Sequence, residues 1–259
     1  MTRRFTALLA LATLAVLVGA CGGTTASPVL TDPTAIVTAA LQSTEAAKSF
    51  HLDVRVDGSA TIRLPGAGSG VGTPVKLDGS TAAIDVDVVA PAAHATVSAP
   101  ALLGFNADVI AVDGKSYVKT SLTGPLYQVS AAETGPVNPG ATGSIIDNLG
   151  DLLLKEGIVL AKGADLQCGS ETCYAVTTTL TPEQLGAGGA TAGLPVDLTG
   201  ATLKLTMLVE QDPPNHLAGI DAVLTMADGS ALTVAVTASR WDEPVTVTAP
   251  PADQVKPAS

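Results

Sequence analysis

Two periods divide the chain. Over the residues after Thr31, apolar side chains recur at helical spacing at Ile36, Ala39, Ala40, Leu41 and Ala47, and Asp32-Pro33 supplies an N-cap and a first-turn proline. A helix is expected from Asp32 to near Ser49. Beyond it the period falls to two: His51-Leu52-Asp53-Val54-Arg55-Val56 and Ile84-Asp85-Val86-Asp87-Val88 alternate apolar with polar, each predicting a strand with one dry and one wet face. Asp57-Gly58, Asp78-Gly79, Asp113-Gly114 and Asp228-Gly229 each stand between strand-like runs, and Asp-Gly suits the primed turns that join antiparallel strands. Four hairpins of a meandering antiparallel sheet are therefore predicted, with the first strand closing at Asp57-Gly58.

The last third continues the alternation through Leu203, Leu205, Met207 and Val209, then Ala222, Leu224 and Met226, then Leu232, Val234 and Val236, and ends in Arg240-Trp241-Asp242-Glu243-Pro244 and Val245-Thr246-Val247. Between the two strand regions, residues 144–155 place Ile145, Leu149 and Leu152 on one helix face, widened by Ile146 and Leu153, with Asp147, Asn148 and Asp151 opposite. Thr181-Pro182-Glu183-Gln184-Leu185 predicts a further short helix. Residues 65–74 and 186–193 are loops by composition, and Pro250, Pro251 and Pro257 mark a solvated tail.

Composition narrows the function. The chain of 259 residues is 46% hydrophobic and only 14% charged, enough apolar material for a packed core and too few charges for a disordered polyampholyte. Its net charge of −11 argues against a nucleic-acid partner, because no basic run after position 4 could neutralise a phosphate backbone. Aromatic residues make up only 3%. A wide sheet closed over Ala, Val, Thr and Leu leaves two interiors open, one hollow and one densely packed with small side chains.

The amino terminus stands apart from the fold. Arg3 and Arg4 precede the uncharged run Phe5 to Ala20, too short to span a bilayer and shaped as a secretory signal. Leu17-Val18-Gly19-Ala20-Cys21 resembles the bacterial lipobox, in which the cysteine receives a diacylglyceryl group and becomes the first mature residue. Loss of Arg3 and Arg4 with no acid would take the mature charge from −11 to −13. Gly22 to Pro28 then reads as a tether. The expected organisation is a signal peptide at 1–20, a flexible tether at 21–31, one domain over 32–251 and a tail at 252–259.

With Cys21 lipidated, Cys168 and Cys173 remain. They flank a Gly169-Ser170 turn in an exported chain, and a disulfide across that hairpin is expected. A metal would need further ligands, and His51, His94 and His216 are scattered; no metal and no cofactor are expected. No Gly-x-Ser-x-Gly elbow and no complete phosphate loop occurs, and Asp85 with Asp87 reads as a solvated strand face, so no catalytic residue is assigned.

The residues resemble the LppX/LprG family of actinobacterial cell-envelope lipoproteins. The likeness rests on the lipobox at Cys21, the first helix running into Ser49-Phe50-His51-Leu52 and Val56-Asp57-Gly58, the hairpin Val112 to Tyr117, and the ending Ala238 to Val247 before Pro250-Pro251. It implies an α+β fold, a strongly curved antiparallel half-barrel with helices packed on its concave face, enclosing an apolar cavity. It also implies a non-enzyme that binds long-chain acylated lipids or glycolipids and carries them across the envelope. Such a lipoprotein, with acyl groups such as palmitate on Cys21, would be anchored to the outer face of the plasma membrane, with a membrane transporter as a possible partner. The apolar strand and helix positions Val54, Val56, Ile84, Val86, Val88, Ile145, Leu149, Leu152, Leu205, Leu224 and Val234 are the candidates to line the cavity, the helix residues as a movable lid. An envelope scaffold or sensor acting through its outer surface without a lipid ligand is the alternative. The Cys168/Cys173 hairpin and the Gly-rich loops depart from the family pattern.

Overall fold

Helix α1 (Pro33–Ala46) leads into β1 (Ser49–Ile62), followed by the meander β2 (Thr73–Lys76), β3 (Ser80–Asp87), β4 (Ala92–Ala99), β5 (Phe105–Val112), β6 (Lys115–Thr120) and β7 (Gln128–Ala131). After α2 (Thr142–Leu153) come β8 (Ala161–Lys162), β9 (Leu166–Cys168) and β10 (Glu171–Leu180), then the short α3 (Pro182–Ala187) and a second meander, β11 (Thr202–Glu210), β12 (Leu217–Thr225) and β13 (Ala231–Ser239). The structure, a computed structural model, describes residues 29–62, 73–132, 142–187 and 200–256.

The strands form one antiparallel sheet in the order β7-β6-β5-β4-β3-β1-β13-β12-β11-β10-β8, with β2 on the far part of β1 and β9 on β10. The order ends at β7 and β8, so the sheet is not closed. Its two meanders are joined where β1 pairs with β13, in the register Val54 to Val236 and Val56 to Val234.

Local chemistry explains several element ends. Asp32 caps α1 by accepting a hydrogen bond from the Ala35 N–H at 2.9 Å. At α3, Gln184 accepts from the Thr181 N–H at 2.8 Å and Thr181 accepts from the Gln184 N–H at 3.4 Å, a reciprocal capping box. Asp78-Gly79, Asp113-Gly114 and Asp228-Gly229 turn β2 into β3, β5 into β6 and β12 into β13, as expected.

The hairpin expected at Asp57-Gly58 is a correction. Strand β1 runs through this dipeptide to Ile62, pairing with β13 as far as Gly58 and with β2 from Ser59. Gly58 has φ +113°, and a Cβ there would lie 2.2 Å from the Ala231 carbonyl oxygen. The freedom at positive φ that permits a hairpin here permits a strand to change partners instead. Asp57 accepts from the Gly79 N–H and Asp78 from the Gly58 N–H, both at 2.8 Å, tying this point to the β2–β3 turn.

The main core forms where Ile36, Val37 and Ala40 of α1 and Leu153 of α2 meet Tyr174, Val176, Leu205, Met207, Val209 and Leu217. Each Ile, Val, Leu or Met side chain among them contributes on the order of 1.5–3 kcal/mol when removed from water. A second cluster, Phe50, Val86 and Ala93, adjoins it through Trp241. On the opposite face Ile110, Tyr117 and Tyr127 are joined by Val247 and Val255. Residues 252–256, expected to be solvated, keep mostly exposed side chains, but their backbone is held: Tyr127 and Val255 form a parallel bridge, and the Lys256 N–H donates to the Tyr127 carbonyl at 2.9 Å.

Candidate functional site

Antiparallel register puts side chains of neighbouring strands in rows. One row on the α1-facing side runs Val176, Met207, Ile220, Val236, Val54, Ala82, Val97 and Ala107. A second runs Leu205, Ala222, Val234 and Val56. Val176, Met207 and Leu205, at the α1 and α2 end, are buried, whereas Ile220, Ala222, Val236, Val234, Val54, Val56, Ala82 and Val97 are only half-buried. A dry, packed core thus continues without a polar break into a wide apolar strip.

The expected lining residues fall on or beside this strip to different degrees. Val54, Val56, Ile84, Leu224 and Val234 are half-buried strand residues, while Val86 and Leu205 are buried. Val88 lies past the end of β3 and packs on the Phe50 cluster. Leu149 and Leu152 are half-buried on α2, Leu149 against the main core; the side chain of Ile145, and Cys21, lie outside the described residues.

Trp241 was not among the expected lining residues, although it joins the two clusters of this face. Its ring stacks on His216 with centroids 4.8 Å apart and lies 5.5 Å from Phe50. A loop residue has no periodicity to announce this. It is placed by backbone geometry: the Asp242 N–H donates to the Ser49 carbonyl at 3.0 Å, and the Asp242 carboxylate accepts from the Lys48 N–H at 2.7 Å.

The reverse face is polar and internally paired. His51 Nδ1 lies 2.9 Å from Asp85 Oδ1, which also accepts from Arg240 at 2.7 Å, and His51 Nε2 lies 3.2 Å from Asp53. Next to them His94 Nε2 lies 2.9 Å from Asp108, whose other oxygen accepts from the Tyr127 hydroxyl at 2.7 Å and stands 3.4 Å from the Lys119 ammonium. Burial pushes the Asp108 carboxyl up, but hydrogen bonds from Tyr127, His94 and Lys119 outweigh it and hold the group below the usual carboxylate range. Glu210, beside His216, goes the other way: burial raises its carboxyl, the neighbouring Glu171 adds to this, and His216 offsets part of it.

A depression of about 560 Å³ lies across β1, β3, β4, β5 and β13, lined by Asp53, Arg55, Thr81, Ala83, Thr96, Ser98, Asn106, Ala235 and Thr237 of the polar face together with Val54, Ala82, Val97 and Ala107 of the strip row. Another, about 710 Å³, is the outer groove between α1 and α2 that includes Leu41, Gln42, Asp151 and Leu154. Among the described residues, no group of three or more His, Cys, Asp or Glu is placed to hold a metal, and no helix is long and apolar enough to cross a membrane. Cys168 and Cys173 form a disulfide across the β9–β10 hairpin, with Cα atoms 5.9 Å apart.

Comparison with known proteins places this arrangement. No curated protein sequence matches the chain. Its fold is similar to the crystal structure of LprF from Mycobacterium bovis, with a TM-score of 0.58 at 16% identity over 84% of this chain and 96% of that one. It is similar also to the lipoprotein LppX from Mycobacterium tuberculosis, with a TM-score of 0.50 at 19% identity over 84% of this chain and all of the other. The model of the LppX_LprAFG lipoprotein family matches residues 32–247, and the chain belongs to that family.

Proposed function

We propose that this protein is an exported lipoprotein, anchored by a diacylglyceryl group on Cys21 to the outer face of the plasma membrane, that holds the acyl chains of envelope lipids against its apolar strip and carries them between layers. Residues 1–20 act as the signal peptide and 21–31 as the tether. The observation that carries this reading is the half-buried strip Val54, Val56, Ala82, Val234 and Val236, which continues the main core. Each acyl CH₂ in water costs roughly 0.8 kcal/mol, so a diacyl lipid of some 30 methylenes faces a barrier on the order of 20 kcal/mol. A carrier lowers it by offering dry surface throughout transit, and α2, packed on α1 beside the strip, is the element suited to move aside as a lid. No step of this role calls on a nucleophile or a metal, and we read the protein as a binder and not an enzyme.

The test is native mass spectrometry of the folded chain from cells that make long-chain envelope lipids. Wild type is expected to carry lipid, and Val54→Trp or Val234→Trp to lose it at least about tenfold, while circular dichroism stays unchanged. Lipid absent from wild type, even after incubation with envelope extracts, contradicts the proposal.

A further inference from the structure

The β4–β5 turn (100–104) and the β6–β7 connection (121–126) emerge at the same end of the sheet. Strands β5 and β6 hold them together: Ala107 pairs with Thr120, the Ser121 N–H donates to the Asn106 carbonyl at 2.9 Å, and the Asn106 N–H donates to the Ser121 hydroxyl at 3.1 Å. Each projects large apolar side chains into solvent. Leu103 is 100% exposed and Leu122 77% exposed, with Leu102 and Leu126 partly exposed beside them in sequence. Residues 95–107 and 120–132 carry no charged side chain, in a chain whose net charge is −11.

Part of the backbone of both projections is bonded internally. In the first, the Leu102, Gly104 and Phe105 N–H groups donate to the carbonyls of Ala99, Pro100 and Leu102 at 3.0–3.1 Å, while Leu103 is held at φ +55°. In the second, the Thr123 N–H donates to the Thr120 carbonyl at 3.2 Å, and the Leu122 N–H to the Thr120 hydroxyl at 3.3 Å. A left-handed leucine is an unfavourable conformation. Here it points a fully exposed side chain outward on a turn held in part by its own hydrogen bonds.

We infer that these two connections form a membrane-docking tip that sinks Leu103 and Leu122 into the interfacial layer of a lipid bilayer. Two observations favour a bilayer as the occupant. The connections themselves carry no ion to desolvate, the Asp78-Gly79 turn beside Pro100 and Lys256 beside Tyr127 standing at their base, and the side chains offered are aliphatic, the kind that partition into the acyl boundary. The inference rests on the lipoprotein reading in one respect: a lipid on Cys21 keeps the domain near a bilayer, and residues 21–31, roughly 35 Å when extended, leave it where the Leu30 N–H donates to the Tyr174 hydroxyl, at the strand ends opposite the tip, so the domain must lie along the surface for the tip to touch. Under that tether a few leucines suffice, because the second contact is intramolecular. The polar, acidic reverse face does not compete for the membrane.

The test places a tryptophan at each tip in the full chain, recovered with whatever lipid its host adds and mixed with vesicles of phosphatidylethanolamine and phosphatidylglycerol bearing brominated acyl chains. Leu103→Trp and Leu122→Trp are expected to be quenched and blue-shifted beyond the constant background of Trp241. Val89→Trp is the control, at a position 72% exposed in the β3–β4 turn at the opposite strand ends, and is expected to stay unquenched. Leu122→Asp added to the Leu103→Trp chain is expected to lower the quenching of the tryptophan at 103 at least about twofold in the same acylated protein. Absence of quenching at 103 and 122, equal quenching at 89, or shielding by envelope membranes but not by protein-free vesicles overturns the proposal, the last by pointing to a protein partner. Bound lipid measured on the same variants separates this failure from that of the carrier reading, since the tip residues lie off the apolar strip.

Discussion

The carboxyl of Asp108 receives three donors, from Tyr127, His94 and Lys119, and its position on the polar face makes it a sensitive reporter of how that face contributes to stability. Its folded-state proton affinity is lowered, so it stabilises the fold at pH values above the ordinary carboxylate range near 4, and that contribution is lost as pH falls through the lower folded value. Asp108→Asn is expected to cost roughly 1–2 kcal/mol at pH 7, with the gap to wild type shrinking toward pH 3, read by urea unfolding at both. Gly58 gives the residue scale a steric counterpart. With φ +113° and a Cβ position 2.2 Å from the Ala231 oxygen, Gly58→Ala is expected to destabilise by about 3 kcal/mol or more, whereas a hairpin-tip glycine with open space around it, Gly114, would cost less on the same substitution. Equal losses at the two positions in denaturant titrations would contradict the account of β1 as one continuous strand that changes partners at Gly58.

Among the elements, those whose ends are set by neighbouring residues were legible in the sequence. Asp32-Pro33 announces α1 because the cap bond spans three residues, and Asp113-Gly114 announces its hairpin because both residues adopt the positive φ that the turn requires. Asp57-Gly58 carries the same signal but has another outcome, decided by the long-range pairing of β1 with β13 and β2 that no local window contains. Trp241 was illegible as a core residue for a similar reason: its contacts with Phe50 and His216 join segments far apart in the chain. The Cys168–Cys173 hairpin was legible from spacing. Closing so short a loop contributes about 2 kcal/mol, and Cys168→Ser/Cys173→Ser is expected to lower Tm by roughly 4–8 °C in differential scanning calorimetry. No change in Tm would show that the sheet edge at β9 is held by pairing alone.

At the scale of the molecule, one sheet serves two environments. Its one face packs under α1 and α2 and extends into the half-buried strip from Ile220 to Val97; its other face carries the paired histidines and aspartates. The strands supplying the strip were readable from alternation, and the candidate residues Val54, Val56, Ile84, Leu224 and Val234 follow it. Which of them α1 covers was not, because a helix face states that it is apolar without stating what it meets. Val86 and Leu205 are buried in packed clusters, so the weight of any lipid contact shifts to Val54, Val56, Val234 and their neighbours in register, Ala82 and Val236. The most direct measurement is photocrosslinking with a long-chain fatty acid carrying a diazirine in its tail, followed by peptide mapping. The account predicts adducts concentrated in β1, β3 and β13 on the strip; adducts confined to the Asp53/Arg55/Thr96 face, or none above a short-chain control, would contradict it.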